Sequence, residues 1–334
     1  MTRPLILDVD GTILKNDLTH EMILAAVIRD PGKALHYARV GKDDKPQMKQ
    51  EMVARIGETL DIDVMPLEPK VVALAEQAAA EGREVYLCSG SEQSLVDRLG
   101  ARLDFITDSF GTSPTYNMTS ANKAAFLHER FPDGFDYVGN STQDYAVWEA
   151  AQSGHGMRPP KNTAKTRTAS GEAVTILEDR TPNLGTLLKA MRPWRLWFPL
   201  PLLILVFAAF YKGIADNLWL PLWATLMWML TVAALALIDD LRDIHQDRRD
   251  AKPNRPIAAG ELSVTTAAAG LAALVLAAAF ISLAILPIWM FPVFALVLWL
   301  ASKAVALPFG IARSMLTRLT IIIASLSYIP LALI

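Results

Sequence analysis

Asp8 and Asp10 stand one residue apart, followed by Gly11 and Thr12, directly after the apolar run Pro4-Leu5-Ile6-Leu7. That run reads as a buried strand. Carboxylates at i and i+2 beyond a strand can both reach the loop at a sheet's carboxyl edge, where open α/β sheets take their ligands. One can attack phosphorus while Mg²⁺ offsets the repulsion between the two anions. The other can carry the leaving group's proton. Gly11 allows the sharp turn this needs.

A second acidic set lies far downstream, in Asp239-Asp240-Leu-Arg-Asp243 and on to Asp247 and Asp250, just after an apolar run ending at Ile238. Asp240, Asp243 and Asp247 are spaced i, i+3, i+7, so one continuous helix would stack them on one face. Like charges in such a row are tolerated most easily with divalent cations between them, and Mg²⁺ favours oxygen-rich sites shared with substrate phosphates. Lys252 and Arg255 follow closely enough to hold the far side of a diphosphate. The spacing points to a metal-diphosphate site beside a membrane.

The elements that must position these residues divide the chain in two. The 334 residues have a net charge of −2, which suggests no nucleic-acid partner, and residues 196–334 are dominated by Leu, Ala, Ile, Trp and Phe. The single cysteine, Cys88, excludes an internal disulfide and fits a reducing compartment. No signal peptide is visible at the start. His20, His36, His128, His155 and His245 have no ligand-like spacing and are expected at the surface or in packing. Amphipathic spacing predicts helices over 21–28, 47–60 and 71–81, with Pro46 at a helix start. These would form a small cap over Asp8. Residues 156–185, rich in Gly, Pro, Ser, Thr and basic side chains, read as a linker. It is followed by a short helix over 184–191.

Five apolar spans are expected, at about 196–211, 218–238, 264–286, 288–302 and 319–334. Lys189, Arg192 and Arg195, the Asp/Arg loop, and Lys303, Arg313 and Arg318 fall on alternate connections. The positive-inside rule places them, and the N-terminal half, in the cytoplasm of a multi-pass inner- or plasma-membrane protein. The organisation expected is therefore 1–155, a linker at 156–185, and a transmembrane region at 186–334.

The N-terminal half resembles the haloacid dehalogenase (HAD) superfamily of phosphatases and phosphotransferases. Asp8-Val9-Asp10-Gly11-Thr12 matches its first motif, Ser89 at the end of Val85-Tyr86-Leu87-Cys88 its phosphate-binding hydroxyl, and Lys123 its motif lysine. Asn140 and Asp144, after Phe135-Asp136-Tyr137-Val138-Gly139, match its last, metal-binding motif, with Asn140 where Asp is usual. The resemblance covers about residues 4–150. It implies a Rossmann-like α/β domain, catalysis by Asp8, Asp10, Ser89 and Lys123, and Mg²⁺ held by Asp8, Asp10, Asn140 and Asp144.

The membrane half resembles the UbiA prenyltransferase superfamily through Asp239-Asp240-x-x-Asp243-x-x-x-Asp247-Arg248 and Lys252-Pro253-x-Arg255-Pro256-Ile257-Ala258-Ala259-Gly260. Asp239 stands where Asn is usual. That resemblance implies an all-α transmembrane bundle in which Asp239, Asp240, Asp243 and Asp247 bind Mg²⁺ and Lys252, Arg255 and Arg248 contact phosphate. The Arg-Pro-Ile-Ala-Ala-Gly segment looks most like the decaprenyl-phosphate phosphoribosyltransferase branch. The implied partners are the lipid bilayer, a polyprenyl (di)phosphate and a phosphorylated or diphosphate co-substrate, with a homo-oligomer left open. An aromatic prenyltransferase, or a membrane-anchored phosphatase with a non-catalytic membrane region, are the alternative readings. No acidic residue follows Glu261, so the stretch reads as the first half of such a transferase, without its second aspartate motif. Arg192-Pro193 matches a common start to the first helix, but Leu196 stands where Trp is usual and Phe198-Pro199 where Lys-Asn is usual.

Overall fold

The computed structural model describes residues 2–29, 31–180, 184–193, 219–252, 254–284, 291–292 and 295–296. The chain falls into two compact units. The first comprises residues 1–182 together with 245–252 and 258–264; the second comprises 183–244, 253–257 and 265–334.

The first unit is built on a parallel sheet of β1 (Leu5–Leu7), β2 (Val85–Glu92), β3 (Asp108–Thr112), β4 (Asp136–Gly139), β5 (Ser153–Met157) and β6 (Thr175–Glu178), in the order β3-β2-β1-β4-β5-β6. The chain winds outward from β1 in one direction and then in the other, so β1 lies at the point where the winding reverses. β1 is apolar throughout because both faces are covered. Leu5 and Leu7 enter one buried cluster with Leu87, Val138 and Val96, and Ile6 enters the opposite one with Tyr86, Tyr137 and Trp148.

Helices fill the connections: α1 (Leu18–Arg29), α2 (Pro31–Asp43), α3 (Lys45–Ile56), α4 (Pro69–Ala80), α5 (Gln93–Ala101), α6 (Ser120–Arg130) and α7 (Tyr145–Ala150). α1, α2 and α3 pack on one another between β1 and β2 and form the expected helical cap. Asp44 caps α3, its carboxylate accepting from the Gln47 amide at 2.9 Å, with Pro46 in the first turn as expected. α2 was not anticipated, because its Pro-Gly opening and internal Gly41 read as turn residues.

One boundary needs correction. The stretch 156–185, expected to be a linker, completes β5 and contributes β6. Arg158 donates to Glu68 at 2.7 Å, and Lys70 pairs with Glu178 at 2.9 Å. The Ala169 amide donates to the Ala151 carbonyl at 2.8 Å. Its small polar residues serve tight turns around these strands, so composition alone misread it.

In the second unit, α8 (Leu184–Ala190) packs on α9 (Trp219–Arg242). Next in the chain comes a short helix, α10 (Ile244–Arg249), which belongs to the first unit from His245 on, and then α11 (Val264–Ala284). Among the described residues α11 is the one helix long and apolar enough to cross a membrane. It leaves Leu276, Phe280 and Leu283 exposed. Of the five expected spans, 196–211 and 319–334 lie outside the described residues, as does all of 288–302 except residues 291, 292, 295 and 296. Lys303, Arg313 and Arg318 lie outside them too.

Candidate active site

Asp8 follows β1 and is buried. Lys123, on α6, donates to its Oδ1 at 2.7 Å, and the Thr12 hydroxyl donates to its Oδ2 at 3.0 Å. The Lys123 ammonium also donates to the Tyr137 hydroxyl at 3.0 Å, and Tyr137 in turn donates to Asp144 at 2.6 Å. Asp10 is held by the first amide of α1: Leu18 N–H donates to its Oδ1 at 2.7 Å. Its Oδ2 accepts from the hydroxyls of Ser89 at 2.9 Å and Ser91 at 2.7 Å, both on β2. The chain turns between the two aspartates and Thr12 through Gly11, whose φ is +74°. A Cβ there would stand 2.1 Å from the Asn140 side-chain nitrogen, so only glycine lets Asn140 close onto this loop.

Asp8, Asp10, Ser89, Lys123, Asn140 and Asp144, six residues drawn from four separate stretches, thus gather around a cavity of about 800 Å³ or in its wall. Their electrostatics are unequal. Burial pushes the Asp8 carboxyl up to about 7, with Lys123 opposing the rise. Burial and then Asp17 push Asp10 up to about 6, against the amide and hydroxyl donors on it. For Lys123 burial acts downward, but the attraction of Asp8 and Asp144 outweighs it and holds the ammonium above its ordinary range. Burial, opposed by Lys123 and helped by Asp8 and Asp144, carries the Cys88 thiol, one residue before Ser89, up to about 12, which leaves it chemically inert.

Magnesium fits this set. Mg²⁺ is usually bound through one or two carboxylates plus substrate phosphate rather than by a full protein cage. Asp8 and Asp10 supply two buried carboxylates, and burial is the chief cause that raises both. The Asn140 side chain lies against Gly11, the residue after Asp10. Asp144 does not match its expected role as directly: its Oδ2 accepts from the Asn140 and Ser141 amides at 3.0 and 2.9 Å and from the Ser141 hydroxyl at 3.0 Å. With Tyr137 on Oδ1, its present task is to shape the 140–144 turn and orient Lys123. Adding millimolar Mg²⁺ at pH 7.5 is expected to raise the melting temperature of the full chain by about 2–4 °C, an effect absent in Asp10→Asn. A scanning-fluorimetry titration with and without chelator measures it.

The second acidic set is arranged differently from the expectation. α9 ends at Arg242, Asp243 sits in a bend, and α10 begins at Ile244. No single helix carries Asp240, Asp243 and Asp247 on one face. Asp240 is buried at the end of α9, with its Oδ1 taken by both Arg192 and Arg255. Arg242 donates to Asp243 at 3.2 Å and lies 3.7 Å from Asp239. Three carboxylates therefore face three guanidiniums. Asp247 accepts from Lys252 at 2.6 Å. Arg248, expected on substrate phosphate, is buried and committed to Glu21 at 2.8 and 2.5 Å and to the Ala258 carbonyl at 3.2 Å. Lys252 and Arg255, also expected on phosphate, hold Asp247 and Asp240 instead. Among the described residues Asp240 Oδ2 has no hydrogen-bond partner, but the charge of this set is already balanced by arginines. A magnesium site at these aspartates does not fit the arrangement, and no step is derived through one.

Residues 200–333 match the UbiA prenyltransferase family. That stretch is a UbiA-family domain. The uncharacterized protein y4nM of Sinorhizobium fredii (strain NGR234) is 32% identical over 270 residues, covering 78% of this chain and 51% of its own length. The chain thus spans about half the length of this curated relative. Among solved structures, a protein of unknown function from Bordetella pertussis Tohama I aligns with 52% of this chain and 99% of its own, at 13% identity and TM-score 0.42. A HAD family hydrolase from Salmonella enterica serovar Typhi aligns with 51% of this chain and 70% of its own, at 15% identity and TM-score 0.37. A probable phosphoserine phosphatase from Vibrio cholerae aligns with 56% of this chain and 63% of its own, at 14% identity and TM-score 0.37. Ahead of the UbiA-family domain lies the parallel Rossmann-like sheet, with Asp8 and Asp10 after β1, Ser89 on β2 and Asn140 after β4.

Thr12, Ser91 and Tyr137 belong to the site and were not singled out from the sequence. Thr12 stands inside the quoted motif, and Ser91 lies two residues beyond Ser89. Tyr137 carries no local signal, because it is one apolar-looking strand residue among several.

Proposed function

We propose that the chain joins a HAD-type phosphatase, centred on Asp8, to a UbiA-type membrane transferase. The observation that carries the first assignment is the 2.7 Å contact of Lys123 with Asp8 beside an Asp10 gripped by Ser89 and Ser91. Asp8 attacks phosphorus and the ester oxygen leaves with a proton from Asp10, which its raised pKa keeps available near neutrality. Water then attacks the aspartyl phosphate, Asp10 takes its proton, and Asp8 is restored with release of phosphate. Lys123 and Thr12 fix the carboxylate of Asp8 between these events. Asp8 and Asn140, joined by Asp10 when it is ionised, would hold Mg²⁺, which would supply charge neutralisation for the two approaching anions.

For the UbiA-family domain, transfer of a phosphoribosyl group to a polyprenyl phosphate is the favoured reaction, on the strength of the Arg255-Pro256-Ile257-Ala258-Ala259-Gly260 segment. The membrane product would then be a polyprenyl-linked phosphosugar, a cell-wall precursor, and the cytoplasmic lobe would remove a phosphate nearby. A second reading is favoured by the three guanidiniums on Asp239, Asp240 and Asp243: an anchored phosphatase whose membrane part does no chemistry. Purified full chain in detergent is assayed with phosphoribosyl pyrophosphate and polyprenyl phosphate, and in parallel with an aromatic acid and prenyl diphosphate. Product in the first reaction is the expected result. Product only in the second makes it an aromatic prenyltransferase, and phosphate release with neither leaves the anchored phosphatase.

A further inference from the structure

The cap wall of the Asp8 cavity carries three lysines that the phosphatase reading leaves without a task. Lys42 lies in the last turn of α2, Lys45 opens α3 and Lys49 lies one turn farther along, and all three line the same cavity as Asp8, Asp10 and Lys123. Among the described residues none of the three pairs with a carboxylate. Asp44, between the first two, is spent on capping α3. The Lys49 ammonium donates only to the Gly90 carbonyl, next to Ser89, and so stands nearest the cavity floor. Burial lowers the Lys49 pKa, against the pull of Asp10 and Asp17.

The two floor carboxylates already have donors, Asp8 from Lys123 and Thr12 and Asp10 from the Leu18 amide and the Ser89 and Ser91 hydroxyls, so the cap lysines are not needed to hold them. Lys45 and Lys123 repel the Lys49 ammonium, and a bound anion relieves that cost. Apart from glycines, the lining contains only three apolar residues, Ala38, Met48 and Met118. The cavity therefore suits a polar head and gives a prenyl chain nothing to pack against.

We infer that the Asp8 site takes a phosphate ester whose organic part bears a second anionic group, with the reacting phosphate on the floor and the second anion held by Lys42 and Lys45. A carboxylate and a second phosphate are equivalent in this respect. The inference rests on the phosphatase reading for its substrate's reacting end, but binding tests it separately.

The full chain in detergent is assayed with 3-phosphoglycerate and with glycerol 3-phosphate, which share a skeleton and differ by one carboxylate. The expected KM is at least about tenfold lower for 3-phosphoglycerate, the scale of one charge-assisted contact. Lys42→Gln with Lys45→Gln is expected to erase that preference while leaving kcat for glycerol 3-phosphate unchanged, and Lys45→Arg to retain it. Equal KM values in the native chain, or a parallel loss for both esters in the double variant, would overturn the inference with the phosphatase reading intact. Calorimetric binding of both esters to Asp8→Asn separates the remaining cases. If neither ester is hydrolysed but the tenfold binding preference persists and needs Lys42 and Lys45, the subsite stands and the phosphatase reading fails. If no preference appears there either, both fail.

Discussion

Asp8→Asn is expected to lower phosphate-ester hydrolysis by at least about a thousandfold, because the amide cannot form the aspartyl phosphate on which the two-step route depends. The side chain keeps its shape and its oxygen can still accept from the Lys123 ammonium, while the Thr12 hydroxyl can turn to accept from the amide nitrogen, so the loss reflects chemistry rather than collapse. Any lipid transfer by the UbiA-family domain is expected to survive. Loss of both activities in this variant would argue against separate sites. The acidic limb of the native profile gives an independent check. Asp8 must be ionised to attack, and burial holds its carboxyl up to about 7. As Mg²⁺ becomes limiting, the midpoint of the acidic limb in kcat/KM is expected to climb towards that value, and saturating Mg²⁺ is expected to draw it down. A midpoint that ignores Mg²⁺ concentration would place the metal away from Asp8.

The second large effect concerns stability. Glu21 on α1 and Arg248 are both buried, and the guanidinium forks onto both carboxylate oxygens at 2.5 and 2.8 Å. The Asn16 side chain adds a third donor to Glu21 at 2.7 Å. Removing one member of such a pair strands a charge without water, at a cost of about 3–5 kcal/mol. Arg248→Ala should therefore lower the temperature of half-inactivation of the phosphatase by roughly 10 °C, measured as residual hydrolysis after heating. Glu21→Leu combined with Arg248→Met should recover most of that loss, since a matched apolar pair leaves no stranded charge. If Arg248→Ala inactivates at the native temperature, the pair is not a support of the lobe. The same helix presents the Leu18 amide to Asp10, so loosening α1 should also raise KM before the lobe unfolds.

What the sequence shows plainly is what is local. Asp8, Asp10, Gly11, Ser89 and Asn140 each end a strand or follow one, and a few residues of pattern suffice to place them on β1, β2 and β4. Winding order then brings those strand ends together. β5, β6 and α2 were missed because their glycines, prolines and small polar residues look like loop, and only neighbours from elsewhere in the chain make them strand or helix. The fate of Arg248 was hidden for a stronger reason. Its partner, Glu21, lies 227 residues away in sequence, and the neighbouring aspartate pattern pointed Arg248 to substrate phosphate instead. The row of Asp240, Asp243 and Asp247 depended on one unbroken helix. Spacing could not show that α9 stops at Arg242, nor that Arg192 would reach Asp240.

The lobe's last pieces are also among the last to be made. Residues 245–252 and 258–264 belong to the first compact unit. Gly260, at a φ of +71°, packs so closely on Lys15 and Pro66 that a side chain would clash. During synthesis the six-stranded sheet can assemble early, but Glu21 has no guanidinium partner until residue 248 has been made. A gene cut anywhere between 183 and 244 would release a fragment permanently short of those pieces, so the first compact unit is completed only after the whole of α9 has been made.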